Sequence, residues 1–324
     1  MKFPLAEHKY FMLFMVQVLL SMKLYGQNPP IIIHSDIDRF WVAYDQLKDS
    51  NNYQDSVFSI QTHYIDKASP GLREFIKARD ISAESLINRI KTAPNYWETV
   101  RPNTYLVKNY QKEIASQLDL FRSELKSFRD PMICFAIGQL STGGTVKGRW
   151  LLIGTEMVTS DSLTDKSQLT DWHKNVLPKE PKILEFTAHE LVHTQQRFGL
   201  GYIIGYFRNR LLTMTITEGA ADFVSYTITG LNINEDIYPY GYENEEALWK
   251  EFSEEMYGNA YLKWLYGGDS NKDRPADLGY FIGFRICEAY YNQAKNKKRA
   301  LNKIVKTNNY RRLLRKSGYA EKFD

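Results

Sequence analysis

LEFTAHELVHTQQ, residues 184–196, decides how this chain is read. Inside it stands His189-Glu190-Leu191-Val192-His193, with two histidines four residues apart. Residues at that spacing share one face of a helix, so the two imidazoles can converge on one ion. If the ion is zinc, each binds through a neutral ring nitrogen at about 2.0–2.1 Å. Glu190 falls one residue further round, beside the ion, where it can take a proton from an activated water. Thr187, Ala188, Leu191 and Val192 are uncharged, as a buried active-site helix requires. The chain has six histidines in 324 residues. Chance then gives on the order of 0.01 occurrences of the pattern, which disfavours a coincidental surface pair.

Such a zinc site needs a third protein ligand and keeps one position open for water. No histidine follows His193, so the ligand falls to a carboxylate or something less usual. Glu218 lies in TITEGAADFVS, residues 215–225, and opens a helical pattern. Asp222, one turn on, faces the same way and can hydrogen-bond the far nitrogen of a ligating imidazole, fixing its tautomer. Gly219 and Ala220 leave room for the two helices to approach closely. Hydrolysis of a peptide also develops an oxyanion that needs a donor beyond the metal. Tyr280, in Gly279-Tyr280-Phe281-Ile282-Gly283, is the candidate, with Arg285 second. The alternative for Tyr280 is an ordinary core tyrosine among 22.

HExxH followed by E-G-x-x-D resembles the gluzincin, thermolysin-like metallopeptidases. In that group the downstream glutamate is the third zinc ligand and the aspartate supports a histidine. The order of parts is similar too: paired strands, the HExxH helix, then the glutamate helix. The chain is also similar to a family of bacterial zinc-dependent proteases related to the gliding-motility lipoproteins of Bacteroidetes. DIDRFWVAYD (36–45), HELVH (189–193), TEGAAD (217–222) and GYFIGFRICEAYY (279–291) carry that likeness. It implies a zincin-like fold, one Zn²⁺ ion and a peptide or protein substrate. One departure stands out: thermolysin-like enzymes count a downstream histidine among their oxyanion donors, and this chain has none.

Around this centre the chain reads as mostly α, with a small antiparallel sheet. Residues 35–129 look helical almost throughout, with Ser35 and Asp36, Ser69-Pro70 and Ser82 as helix starts. Asn103 opens the longest helix, along which Tyr105, Val107, Tyr110, Ile114, Leu118, Phe121 and Leu125 recur as core. Met132–Ile137 and Trp150–Ile153 read as an antiparallel pair joined by the flexible Ser141-Thr142-Gly143-Gly144-Thr145. That connection lacks a phosphate-loop pattern. Trp150–Ile153 is either an edge able to pair with an extended peptide or purely structural. Later helices run to Phe198, over 215–228, over 244–266 (acidic) and over 278–293, with Asp269, Asp273 and Pro275 in a loop. The tail from Lys295 carries 11 Lys and Arg. It reads as a solvated face, or as one meeting an acidic partner or the acidic helix of Glu245, Glu246, Glu251, Glu254 and Glu255. His34, His63 and His173 have no partner at ligand spacing.

The N-terminus reads as an export signal. Lys2 and Lys9 precede the uncharged run Tyr10–Met22, which is too short to span a bilayer, and Gly26 is a plausible cleavage position. An uncleaved membrane anchor is the alternative, and no cysteine lies near the cut to carry a lipid. Removing residues 1–26 leaves a formal charge of +2 in place of +4, too little to argue for nucleic acid. Cys134 and Cys287 could pair in an oxidising compartment or remain buried thiols.

The expectation is therefore an exported, periplasmic or extracellular α+β protein. A helical region, 27–130, precedes a zincin-like region, 131–324, either as two regions or as one compact domain. Function is expected as a zinc metallopeptidase with Glu190 as general base. The alternatives are a non-catalytic component of the envelope gliding machinery, with an envelope-associated partner, and a zinc hydrolase acting on a non-peptide amide.

Overall fold

The structure, a computed structural model, describes residues 30–50, 52–196, 198–266 and 274–323. The export signal read over 1–26, and Asp269 and Asp273, lie outside the described residues.

Four strands form one sheet: β1 (Ile32–Ile33), β2 (Met132–Ala136), β3 (Gly144–Lys147) and β4 (Trp150–Gly154), in the order β1-β2-β4-β3. The inner strands are almost wholly apolar and buried, as parallel strands covered on both faces must be. β1 and β2 are parallel, and so are β2 and β4, with Met132 opposite Trp150 and Ala136 opposite Gly154. Only β3 runs antiparallel, beside β4. The sheet is thus mixed, and the expected antiparallel pairing of Met132–Ile137 with Trp150–Ile153 is incorrect. The glycine-rich connection is the reason. Its second half is itself a strand, which turns back at Gly148 (φ 61°) and takes the antiparallel place. Trp150–Ile153 is consequently interior, and β3 is the edge strand beside it.

Before β2 come α1 (Ser35–Asp45), α2 (Tyr53–Ile60), α3 (Pro70–Arg79), α4 (Ala83–Thr92), α5 (Pro94–Thr104) and α6 (Gln111–Glu124). Ser69 caps α3 by accepting from the Leu72 N–H at 3.2 Å, and Ser82 caps α4 by accepting from Ser85 at 3.1 Å. Ser35 and Asp36 do not cap α1. Asp36 is buried instead, where it takes the Ser69 N–H at 3.1 Å and Arg39 at 2.6 Å, so it ties α1 to the start of α3. The single long helix expected from Asn103 is divided. Pro94 starts α5 early, Tyr105–Asn109 tightens into a 3₁₀ turn, and α6 begins at Gln111. Apolar spacing persists across the tightened turn, so periodicity cannot register the break. Phe40 and Trp41 pack among Tyr64 and Trp97, and the Trp41 indole donates to Thr104 Oγ1 at 2.9 Å.

After β4 follow α7 (Thr155–Val158), α8 (Asp171–Val176), α9 (Ile183–Gln195), α10 (Leu200–Arg208), α11 (Arg210–Thr229), α12 (Tyr238–Glu243), α13 (Glu245–Glu255), α14 (Tyr261–Trp264), α15 (Leu278–Gln293), α16 (Lys297–Val305) and α17 (Tyr310–Ser317). Glu218 is in the middle of the 20-residue α11, not at the start of a helix as its pattern suggested. Gly219 serves a different neighbour from the one expected. It faces Gly283 of α15, and a Cβ on Gly283 would stand 2.9 Å from Gly219 Cα and press on the Thr215 carbonyl. Small residues at this crossing let α11 and α15 touch along their backbones.

The basic tail folds back as two amphipathic helices that bury Leu301, Ile304, Leu313 and Leu314. Part of it does meet the acidic helix: Glu245 takes Lys322 at 2.7 Å and the Tyr319 hydroxyl at 2.9 Å. Glu245 also takes Arg285 Nε at 2.8 Å, and Glu288 pairs with the same guanidinium, which commits Arg285 away from any oxyanion role. Cys134 and Cys287 are buried and free, so the disulfide alternative does not hold. The buried Glu156 accepts N–H groups from Gly138 at 2.9 Å and Leu140 at 3.1 Å, holding the bend between β2 and β3. Burial dominates its titration and pushes its pKa up to about 7. The described residues from Ile32 onward make one compact unit, in which β1 adds a short strand beside β2. The architecture is a mostly helical α+β unit with a small four-stranded mixed sheet.

Two outcomes follow for stability. Gly283→Val should destabilise the fold by about 1–3 kcal/mol through overpacking at the α11–α15 crossing. Glu156→Leu should cost about 2–4 kcal/mol, because two buried N–H groups lose their acceptor. Urea denaturation of each variant reads both, and values within error of wild type would refute these assignments.

Candidate metal centre

α9 reads as a helix buried nearly all round, and it delivers His189 and His193 to one side, next to α11. Their Nε2 atoms face each other at 3.0 Å. The outer nitrogens explain why. His189 Nδ1 lies 2.7 Å from Asp222 Oδ1, a carboxylate that can only accept. His193 Nδ1 lies 2.8 Å from Gln196 Oε1. Gln196 uses its amide nitrogen on the Thr217 carbonyl at 2.8 Å, so its oxygen is the atom left for the ring. Both Nδ1 atoms therefore donate, and in neutral rings both Nε2 atoms carry lone pairs. Two lone pairs at 3.0 Å repel unless a proton on one ring or a cation stands between them.

Glu218 closes the triangle. Its Oε2 lies 3.4 Å from His189 Nε2 and 3.2 Å from His193 Nε2. Ligand distances of about 2.0–2.1 Å in a tetrahedral zinc site place neighbouring ligand atoms about 3.3 Å apart, so the three edges fit such an ion. Glu190 also brings a ligand atom within 4.8 Å of both histidines. Glu218 is the better third ligand, because one oxygen meets both rings while Tyr266 donates to the other. Asp222 is fully buried; beyond His189, it accepts from Asn234 Nδ2 at 2.9 Å and from the Tyr238 hydroxyl at 3.3 Å.

The electrostatics agree with a cation trap. Burial opposes charge on His189, yet Asp222 and Glu218 override it and raise its pKa to about 10. His193 rises as well, against the same burial, through Glu218. Burial would raise the Glu218 carboxyl too, but the two histidines hold it well below the usual carboxylate range. Any metal ion binding here displaces that proton and takes up the same field.

Beside the triangle opens a cleft of about 630 Å³. Glu190, Arg79, Tyr266 and Tyr280 line it, together with Gly144 and Thr145 of the β3 edge. Gly144 matters for Glu190: a Cβ there would stand 2.5 Å from Glu190 Cγ and 2.6 Å from Cδ. Burial raises the Glu190 pKa, partly offset by His193 and His189. The Tyr280 ring lies 6.2 Å from that of His189 and 6.3 Å from that of Tyr266. Tyr266 adopts a left-handed backbone (φ 58°), uncommon for a bulky residue and often found at functional sites.

The structure thus brings His189, His193, Glu190, Glu218, Asp222 and Tyr280 together. Arg285 stands apart with Glu245, and His34, His63 and His173 bond elsewhere, to Gln111, Ser59 and Leu140. Sequence reasoning missed Gln196, Asn234, Tyr238, Tyr266 and Arg79. Gln196 alone left a signal, three residues after His193 within the quoted stretch; the others come from distant segments.

No curated protein and no solved structure matches the chain. The family model described as Gliding motility protein GldB matches residues 27–321. The chain belongs to that gliding-motility family.

Proposed function

We propose that this chain is an envelope component of the gliding machinery, built round a centre for one zinc-type ion held by His189, His193 and Glu218. Family membership supports the gliding role. The single observation that carries the metal centre is the pair of Nε2 atoms 3.0 Å apart, both of whose Nδ1 partners force the lone pairs inward.

A second reading, hydrolysis of peptide bonds, is favoured by Glu190. The three ligands complete the ion's protein shell without it, and a purely structural site has no use for a carboxyl kept free in the cleft. When bound, such an ion supplies Lewis acidity and lowers the pKa of water. Glu190 would take the proton from a water in the cleft and return it to the leaving amine. Burial raises its pKa, which favours its taking up a proton. The Tyr280 hydroxyl would donate to the developing oxyanion, while Tyr266 stays on Glu218, and the half-buried outer edge of β3 would pair with an extended peptide.

The chain from Gln27 onward should purify with a single equivalent of zinc by elemental analysis, and His193→Ala should lose it. Zinc at background level in wild type would remove the metal centre. Asp222→Asn should weaken zinc binding by about 10- to 100-fold in a chelator competition, because His189 loses the acceptor that fixes its tautomer. Glu190→Gln should keep its zinc. If the hydrolytic reading holds, that variant loses about 100- to 10,000-fold in cleavage of a peptide library and fails to restore gliding in a deletion strain. A Glu190→Gln chain that restores gliding fully, with wild type inert on every peptide, leaves the non-catalytic role standing.

A further inference from the structure

α10 has its amphipathicity turned inside out. Its inward side is made of glycines: Gly205 packs on Thr213 and Tyr310, and Gly201 lies against the Asn308 main chain. Its large apolar residues Leu200, Ile203, Ile204 and Phe207 follow the i, i+3, i+4, i+7 spacing of one helix face. That face is turned to solvent, with Leu200 73% and Phe207 79% exposed. The exposed Phe198 extends it to the cleft rim, which Phe198 and Tyr202 line. Isolated exposed apolar residues are ordinary, but a contiguous apolar stripe marks a surface that meets something.

What it meets is indicated by the neighbouring charge. Asn308, which supports Gly201, also lines a second cavity of about 330 Å³. Lys303, Arg312 and Lys316 line this cavity, with no carboxylate in its wall. All three are exposed, and none forms an ion pair among the described residues. Arg208 is exposed at the other end of α10. A protein partner with an apolar groove would explain the stripe alone. An anionic bilayer explains both features: apolar side chains sink to the acyl boundary while flanking cations meet the headgroups. At nine residues, α10 is far too short to span. Among the described residues no helix is long and apolar enough to cross a membrane.

We propose that α10 is an interfacial helix that seats this protein on an anionic lipid surface. A lipid phosphate enters the pocket of Lys303, Arg312 and Lys316, and the cleft rim at Phe198 lies along the membrane face. This inference does not depend on the metal centre.

Vesicle co-sedimentation of the chain from Gln27 onward tests it, without the apolar leader. Wild type should bind phosphatidylcholine vesicles containing about one third phosphatidylglycerol and bind neutral vesicles far less. Leu200→Ser/Phe207→Ser should lose binding to both. Lys303→Glu and Arg312→Glu, which leave the stripe intact, should each weaken binding to anionic vesicles by about fivefold or more. Unchanged circular dichroism and urea unfolding show that each variant is folded. The proposal is overturned if wild type binds neither vesicle, or if the variants bind as wild type does. It is also overturned if light scattering finds a dimer that Phe207→Ser dissociates while vesicles are ignored, since a second copy then covers the stripe.

Discussion

Two imidazole nitrogens held 3.0 Å apart, each with its lone pair turned inward, form the constraint around which the rest is arranged. Left alone, that contact is repulsive, and burying it deep in a helical core makes it more so. A proton on one ring or a cation between the two relieves it, and Glu218 supplies negative charge that favours either. The opposing nitrogens are pinned by acceptors on different elements, Asp222 on α11 and Gln196 just past α9. Neither ring can swing away without abandoning a buried hydrogen bond. The protein itself thus fixes the positions of both rings, as a metal site of defined coordination would require.

The fold can be understood as the means of holding α9 and α11 in that relation. α11 is pressed onto α15 through the Gly219–Gly283 contact, which sets the depth of Glu218 and the position of Tyr280 together. Gln196 bridges from His193 to the carbonyl of Thr217, the residue before Glu218, so the two ligand-bearing helices are coupled at the site itself. The sheet supports the opposite wall. β3 opens with Gly144, which makes room for the Glu190 carboxyl, and Glu156 fixes the bend leading to that strand.

Membership of a gliding-motility family and a site of this kind are compatible. An assembly component would gain rigidity if a metal were held between its two central helices. A hydrolytic component would use the same three ligands and differ only in what Glu190 does. The His189–His193–Glu218 cluster and the exposed apolar face of α10 lie on separate elements, yet Phe198 and Tyr202 border both the cleft and that face. The apolar face and the mouth of the cleft are therefore contiguous.

By itself, the sequence determined whatever depends on spacing within one helix. The pairing of His189 with His193, the place of Glu190 beside them and the reach from Glu218 to Asp222 are consequences of 3.6 residues per turn. Capping by Ser69 and Ser82 and the bounds of α15 were legible for the same reason: local chemistry fixes them. Tertiary structure decided what depends on distant segments meeting. Whether two apolar runs pair parallel or antiparallel turns on where the connection between them goes. Here Gly144–Lys147 left the role of linker to become the edge strand. Gly219 was legible as a point of close approach, but not the partner, Gly283. Asn234, Tyr238, Tyr266 and Arg79 carry no motif, because each reaches the centre along a path no local pattern encodes. Arg285 shows the reverse: chemically suitable and close in sequence to Tyr280, it was drawn away by Glu245, 40 residues earlier. Periodicity ranks the residues that can share a face; only packing decides which faces meet.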